Sequence, residues 1–277
     1  MPILLALLSS GLWGSADFLG GLLSRRLKAV VVVAASQTAG LLAVSLVAVA
    51  TGGFSAGLGW LPWAVLSGAC GAVGLVCFYA ALASGTMGVV SPIAALGAVI
   101  PVLVGLLSGE HPSTLSAAGI VVALAGAVAA SGPELRGSTG AGPRPVVLAA
   151  VAGVGFGLAL TFIAKGAETD AVMTLWGMRL TSVTGFAVAA VVARTIGGLH
   201  PEDLVPIALV GVGDVVANLL FALASQRGYV SVTAVLASLY PVVTVLLARA
   251  ILHERLLRIQ QLGVVGALAG VALVSFG

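Results

Sequence analysis

Long runs of apolar residues separated by short polar segments make up almost the whole chain. Each run is about 20 residues long, enough to cross a hydrocarbon layer of about 30 Å as a helix. The strict alternation of apolar and polar positions that marks a transmembrane β-barrel is absent. The pattern therefore predicts an all-α membrane protein with ten spans. They cover residues 3–23, 29–51, 61–83, 88–108, 114–131, 146–166, 171–195, 204–224, 229–250 and 258–275.

The second half of the chain repeats parts of the first half. The segment Ala-Leu-Ala-Ser at 81–84 returns at 222–225. Further matches pair Ser91 with Ser231, Pro101 with Pro241, Glu110 with Glu254, Gly119 with Gly263, Gly126 with Gly270 and Ser131 with Ser275. Because each half holds five spans, the second copy enters the membrane in the opposite orientation. We therefore predict two inverted five-helix repeats, residues 1–131 and 146–277, joined by a linker at 132–145 that is rich in glycine and proline.

Composition agrees with a membrane protein and narrows its partners. Hydrophobic residues make up 60% of the chain and charged residues 8%, with a mean hydropathy of +1.21. A soluble domain carries roughly a quarter charged residues. The net charge of +3 resides in loops, so we expect a lipid bilayer and not nucleic acid as partner. No phosphate-binding loop and no cluster with metal-ligand spacing occurs in the sequence, so we expect no cofactor and no metal.

The distribution of Lys and Arg predicts an orientation. Nine of these residues lie in or beside the loops after the first, fifth, seventh and ninth predicted spans, and two lie on the other side. The first group comprises Arg25, Arg26, Lys28, Arg136, Arg144, Arg194, Arg249, Arg255 and Arg258, and the second comprises Lys165 and Arg227. By the positive-inside rule the first group faces the cytoplasm. Both termini would then lie outside.

Three ionisable residues lie deep in the predicted spans, namely Asp17, Arg179 and Asp214. At the rise of an α-helix, they lie about 12, 18 and 15 Å from the membrane face nearest Arg25. A charge at membrane depth costs several kcal/mol unless it faces a cavity or a partner. These residues can therefore share one site. Asn218, one helical turn after Asp214, and Gln37, at comparable depth, are further polar candidates.

Two interpretations of the three charges stay open. In one, Asp17 or Asp214 pairs with Arg179 and locks two helices together. In the other, the carboxylates exchange protons or bind a substrate ammonium group, and Arg179 binds a substrate carboxylate. Both can hold in different states of a transport cycle.

Aromatic and proline residues add candidates for the walls and the moving parts of a cavity. Trp13, Tyr79, Trp176 and Tyr240 are candidate aromatic walls, although residues of these types more often pack in a core. The prolines inside predicted spans, Pro92, Pro101 and Pro241, are candidates for bends that a gate would share. Glu110 and Glu254 lie at helix ends in both repeats, which favours a structural role in orienting the following connection.

These residues resemble those of a known family. The Trp13-Gly14-Ser15 segment, the ten spans and the run from Ser231 to Gly270, with its proline, later Glu-Arg and closing glycines, resemble the EamA domain of the drug/metabolite transporter superfamily. The first copy departs from the pattern, because His111 and not Arg follows Glu110. The resemblance implies a secondary transporter, often an exporter, of small metabolites. It also implies a central cavity lined by the first, third, fourth, sixth, eighth and ninth spans, and cytoplasmic termini, opposite to the charge distribution.

Two other classes of protein fit the sequence less well. Gly211-Val212-Gly213-Asp214 matches the Gly-x-Gly-Asp motif of intramembrane aspartyl proteases, whose chemistry needs two close carboxylates that share a proton. The companion Tyr-Asp and Pro-Ala-Leu segments of those proteases are absent, which leaves Asp17 as the second carboxylate. A membrane scaffold without transport activity would not need polar residues at the midplane of both halves.

The sequence therefore predicts a secondary transporter in the cell (cytoplasmic) membrane and not an enzyme. We expect it to export a small polar or amphipathic metabolite, amino-acid-like or drug-like, with proton antiport through Asp17 and Asp214 as the favoured coupling. Its oligomeric state is a monomer or a homodimer, and the face formed by Gly266 and Gly270 is a candidate contact between copies.

Overall fold

A computed structural model describes residues 1–55, 57–84, 87–130, 144–194, 198–252 and 258–276, whose regular structure is entirely helical. These residues form α1 (Pro2–Ser24), α2 (Ala29–Ala50), α3 (Leu61–Ser84), α4 (Met87–Ala95), α5 (Val99–Leu107), α6 (Thr114–Ala130), α7 (Arg144–Ala167), α8 (Ala171–Ala193), α9 (Pro201–Ser225), α10 (Val230–Ala237), α11 (Tyr240–Leu252) and α12 (Arg258–Phe276). Short 3₁₀ turns lie at Gly53–Ser55, Leu58–Trp60 and Leu96–Ala98.

The helices are long and apolar enough to confirm an all-α membrane protein. Seven helical segments can each cross a bilayer by length and composition: α1, α2, α7, Leu58–Ser84, Ala171–Val192, Pro201–Ser225 and Val230–Ile251. Three apolar segments are shorter, namely Ile93–Leu107, Thr114–Ala129 and Arg258–Val274. The count of ten spans therefore stays a prediction. The predicted linker at 132–145 lies outside the described residues except for Arg144 and Pro145, which begin α7.

Two of the predicted spans are interrupted near their middles. A 3₁₀ turn at Leu96–Ala98 separates α4 from α5, and α10 ends at Ala237 before α11 begins at Tyr240. Pro101 is the third residue of α5 and Pro241 the second residue of α11. A proline has no N–H to bond to the carbonyl four residues earlier, which belongs to the 3₁₀ turn for Pro101 and to the end of α10 for Pro241. Ile93–Leu107 and Val230–Ile251 each continue as one helical segment through these positions, and the bends at Pro101 and Pro241 stay predictions. Pro92 lies within α4.

Each main contact between a helix of the first half and a helix of the second half has a counterpart in which the two halves change roles. α1 packs against α9, and α7, which matches α1 in the predicted repeat, packs against α3. α2 packs against its counterpart α8, and α6 packs against its counterpart α12. The halves are therefore interleaved, and the buried core is formed between them.

Small residues bring α6 and α12 together. A Cβ atom on Gly126 would overlap the backbone of Ala267, and one on Gly270 would overlap the backbone of Ala123. Close approach of this kind lets helices associate where no hydrophobic drive exists between them. The Gly266 and Gly270 face therefore packs within the chain. A contact between two copies at this face stays a prediction, since α6 already packs against it.

Candidate functional site

A cavity lies near the middle of the helix bundle. It offers about 90 Å³ to the centres of water-sized molecules. Its described lining comes from α1, α2, α3, α4, the 3₁₀ turn at Leu96–Ala98, α7, α8, α9 and the chain from the end of α10 to the start of α11. The wall includes the polar residues Trp13, Asp17, Gln37, Ser67, Arg179, Ser182, Asp214, Asn218, Ser238 and Tyr240. The remainder is apolar and includes Leu75, Ala94, Phe156, Leu160, Ile163 and Met178.

Asp214 on α9 is the centre of a polar network in this wall. The indole Nε1 of Trp13 donates a hydrogen bond to Asp214 Oδ1 over 2.9 Å. Asn218 Nδ2 donates to the same oxygen over 3.0 Å and to the backbone carbonyl of Asp214 over 2.7 Å. Residues one turn apart on a helix lie on the same face, so the spacing predicted this last contact. Gln37 Nε2 reaches Asp214 Oδ2 over 3.5 Å.

Arg179 on α8 neutralises the Asp214 carboxylate. Its Nη2 lies 2.6 Å from Asp214 Oδ2, and its Nη1 donates to Gln37 Oε1 over 2.5 Å. The Arg179 side chain is only 4% exposed, so its charge depends on these partners. The pair joins α8 to α9, and Gln37 adds α2 to the contact. This geometry matches the interpretation in which Asp214 and Arg179 lock helices together.

Asp17 is placed differently from Asp214. It lies one turn after Trp13 on α1, lines the cavity and is 8% exposed. The hydroxyl groups of Tyr79 and Tyr240 and the carboxylate of Asp214 interact electrostatically with its carboxyl group. Within the described part of the chain, Asp17 takes part in no ion pair. One carboxylate of the site is therefore paired with a cation and the other is not.

The aromatic candidates divide into two groups. Trp13 and Tyr240 line the cavity, and Tyr240 packs edge-on against Phe78 with ring centroids 6.2 Å apart. Tyr79 is buried, is not among the residues of the cavity wall and interacts with Asp17. Trp176 lies outside the cavity wall, where its Nε1 donates to Ser45 Oγ over 3.1 Å. The sequence could not separate these groups, because all four aromatic residues lie within apolar runs.

Glu110 joins two helices at a distance from the cavity. Its carboxylate accepts the backbone N–H of Val230 over 2.6 Å and that of Ser231 over 3.0 Å, at the first turn of α10. A negative group there satisfies two free N–H donors and interacts favourably with the helix dipole. Gly109 supplies the turn before Glu110, with φ of +93°, a conformation that favours glycine. Glu110 thus holds a helix of the other half, and Glu254 lies outside the described residues.

Several cavity residues were not predicted from the sequence. Ser67, Phe156 and Ser238 line the wall, and Gln37 is central to the network although the sequence ranked it as a weaker candidate. The resemblance implied six spans around the cavity, whereas α2 and α8 also contribute. The signal that made Gln37 a candidate is its amide, since the other polar side chains of α2 are serine and threonine hydroxyls.

Comparison with known proteins identifies the fold and, for the second half of the chain, a similar family. The profile of the EamA-like transporter family matches residues 143–276. No curated protein matches the chain. Eighteen chains of solved structures match, among them one described only as "Crystal structure of protein". It is 18% identical, with a TM-score of 0.80 over 99% of this chain and 96% of that one, and at this identity it shows a shared fold alone. Residues 143–276 thus match the EamA-like transporter family, which confirms the resemblance for the second half of the chain.

Proposed function

We propose that this protein is a secondary transporter that moves a small polar or amphipathic solute through the central cavity by alternating access. The match of residues 143–276 to a family of membrane transporters, not of enzymes, supports transport across a lipid bilayer. The observation that carries the proposal is the network of Trp13, Gln37, Arg179, Asp214 and Asn218 on the cavity wall. Polar groups at membrane depth are costly and are usually kept for a substrate or ion pathway.

The interleaved packing supports two inverted repeats of five spans each, residues 1–131 and 146–277. The pairs α1 with α9 and α7 with α3 are related by exchange of the halves. Inverted repeats give a transporter two similar bundles that can rock about a shared site. A gradient of solute or protons across the membrane can then drive alternating access.

The interruptions of the fourth and ninth predicted spans support a gate at the cavity. Ala98, in the α4–α5 break, and Ser238 and Tyr240, at the α10–α11 break, line the cavity wall. Interrupted helices concentrate motion at a few backbone positions, and transporters commonly place them at the substrate site. In this proposal, Pro101 and Pro241 fix the first turn of the second segment of each span, α5 and α11. The first segments, α4 and α10, change their tilt.

The favoured coupling is proton antiport, with export from the cell across the cytoplasmic membrane. A carboxylate without a cationic partner at membrane depth is stabilised by a proton or by a bound cation. Asp17 meets this condition in the described structure, whereas Asp214 is paired with Arg179. We therefore place proton exchange at Asp17 and give Asp214 the supporting role.

The pairing of Asp214 also weakens the protease alternative. An aspartyl protease needs two carboxylates that share a proton. Asp214, the last residue of the Gly211–Asp214 motif, is paired with Arg179 and accepts hydrogen bonds from Trp13 and Asn218. Its oxygens are therefore committed to partners other than Asp17.

Untargeted metabolite profiling tests the proposal. A host producing the wild-type chain is compared with hosts producing Asp17→Asn or Glu168→Gln, the latter a control whose side chain is 65% exposed. We expect a compound that rises in the medium and falls in the cell extract with the wild type and the control, but not with Asp17→Asn. No change in either compartment, with correctly inserted wild-type protein, would contradict export.

A further inference from the structure

The geometry points to an amphipathic amine that carries one positive charge and no carboxylate as the solute, with its ammonium group bound between Asp17 and Tyr240. This inference rests on the proposed transport function and specifies its substrate class. It differs from the amino-acid-like solute that the sequence allowed.

The balance of charge in the cavity supports a cationic solute. The described wall holds two carboxylates, Asp17 and Asp214, and one guanidinium, that of Arg179. Because Arg179 is committed to Asp214 at 2.6 Å, one negative charge remains at Asp17 when that group is ionised. An uncompensated charge at membrane depth is costly, so this site favours one cation.

The same pairing leaves a solute carboxylate without the two-point contact that a free guanidinium offers. The two terminal nitrogens of Arg179 contact Asp214 and Gln37. Its third nitrogen, Nε, is buried without a hydrogen-bond partner among the described residues and faces α2, where a Cβ atom built on Gly40 would lie 3.6 Å away. A solute carboxylate would therefore have to displace Asp214 and leave that buried acid without its partner, which is strongly unfavourable. An amino acid is thus a poor fit to this wall.

Tyr240 supplies a second acceptor next to Asp17. Its hydroxyl is buried and has no hydrogen-bond partner among the residues that the structure describes. The residue is 7% exposed, lines the cavity and lies within the electrostatic range of Asp17. An ammonium group has three N–H donors, and a carboxylate and a hydroxyl oxygen can accept two of them. The apolar remainder of the solute would then contact Leu75, Phe156 and Leu160.

Binding of such a cation exchanges it for a proton. In the empty site the Asp17 carboxyl is protonated; when the ammonium binds, that proton leaves to solvent and the carboxylate pairs with the cation. The titratable or charged groups that face Asp17 in the described structure are Tyr79 of α3, Tyr240 of α11, and Asp214 of α9 with its partner Arg179 of α8. Since Asp214 and Arg179 neutralise each other, Asp17 is the group that exchanges its proton for the ammonium group of the solute.

Isothermal titration calorimetry of the full-length protein in lipid nanodiscs tests this inference. Four probes share one phenyl group: 2-phenylethylamine, phenylalanine, 3-phenylpropanoate and 2-phenylethanol. We expect 2-phenylethylamine to bind at least about tenfold more tightly than the two carboxylates. Asp17→Asn should weaken amine binding about tenfold or more, and the exposed control Glu168→Gln should bind like the wild type. Tyr240→Phe should weaken it by a smaller factor, and Asp17→Glu should retain binding.

A proton count separates a binding role of Asp17 from a structural one. Titrations in two buffers with different ionisation enthalpies give the number of protons released per amine bound. We expect release from the wild type and from Glu168→Gln, and none from Asp17→Asn. If Asp17→Asn fails to fold, the proton release of the wild type and the loss on Tyr240→Phe still test the site.

Three results would overturn the inference. They are no binding of 2-phenylethylamine to the wild type at millimolar concentration, tighter binding of phenylalanine than of the amine, and amine binding without proton release. Each of these leaves the transport proposal in place, because metabolite profiling tests that proposal with compounds of any charge. Export of a carboxylate compound in that experiment would support transport and contradict the amine.

Discussion

Arg179 Nη2 and Asp214 Oδ2 lie 2.6 Å apart and join α8 to α9 at the cavity wall. Their side chains are 4% and 17% exposed, so water does little to screen the pair. Removing one member of a buried pair leaves the other charge without compensation, which costs more than the pair contributes.

Arg179→Gln and Asp214→Asn should therefore each destabilise the protein strongly. We expect each single variant to lose about 3 kcal/mol of unfolding free energy. The double variant should lose less than the sum of the two, because neither charge is then left alone. Thermal or denaturant unfolding in detergent measures these values. Additive losses would show that the two residues do not depend on each other.

The depth of a residue could be predicted from the sequence, but its partner could not. Asp17, Arg179 and Asp214 were placed in one band because the helical rise converts sequence position into depth. Asn218 was placed beside Asp214 because four residues make about one turn. The pairing of Arg179 with Asp214 and not with Asp17 depends on how α1, α8 and α9 cross and rotate. Hydropathy carries no information about that rotation.

Other differences between prediction and structure have the same origin. Tyr79, Trp176 and Trp13 all lie within apolar runs, yet of these three Trp13 alone lines the cavity. The interruptions before Pro101 and Pro241 occur within runs that hydropathy joins into single spans. Glu110 was expected to orient the next connection, whereas it holds the distant α10.

Glu110 should stabilise the first turn of α10. Glu110→Gln removes the negative charge and leaves one amide oxygen where the carboxylate offers two to Val230 and Ser231. We expect a loss of about 1 kcal/mol, the usual contribution of a helix cap with its dipole interaction. Hydrogen exchange measures it locally, with faster exchange at the amides of Val230 and Ser231. Glu168→Gln is the control, and unchanged exchange in Glu110→Gln would contradict the contact.

The charge distribution predicts that the α1–α2 connection faces the cytoplasm. Arg26 pairs with Asp203 over 2.6 Å, so this connection lies at the same end of the bundle as the start of α9. In a Cys70→Ser, Cys77→Ser background, we expect an impermeant maleimide to label Lys165→Cys in intact cells. Lys28→Cys should be labelled only after permeabilisation. The reverse pattern would support the orientation that the family resemblance implies.

Gly270 and Gly266 on α12 provide a matched test of the contact with α6. A Cβ atom on Gly270 would overlap the backbone of Ala123, whereas the nearest neighbour of a Cβ on Gly266 is Gly126 Cα at 3.5 Å, an ordinary contact. Gly270→Ala should therefore force α6 and α12 apart and destabilise the protein by about 1–3 kcal/mol, the usual cost of overpacking. Gly266→Ala should be neutral or stabilising by up to about 1 kcal/mol, because alanine favours the helix. Unfolding midpoints and light-scattering masses in detergent measure both effects. A change of mass in Gly270→Ala with unchanged stability would instead place this face between two copies of the chain.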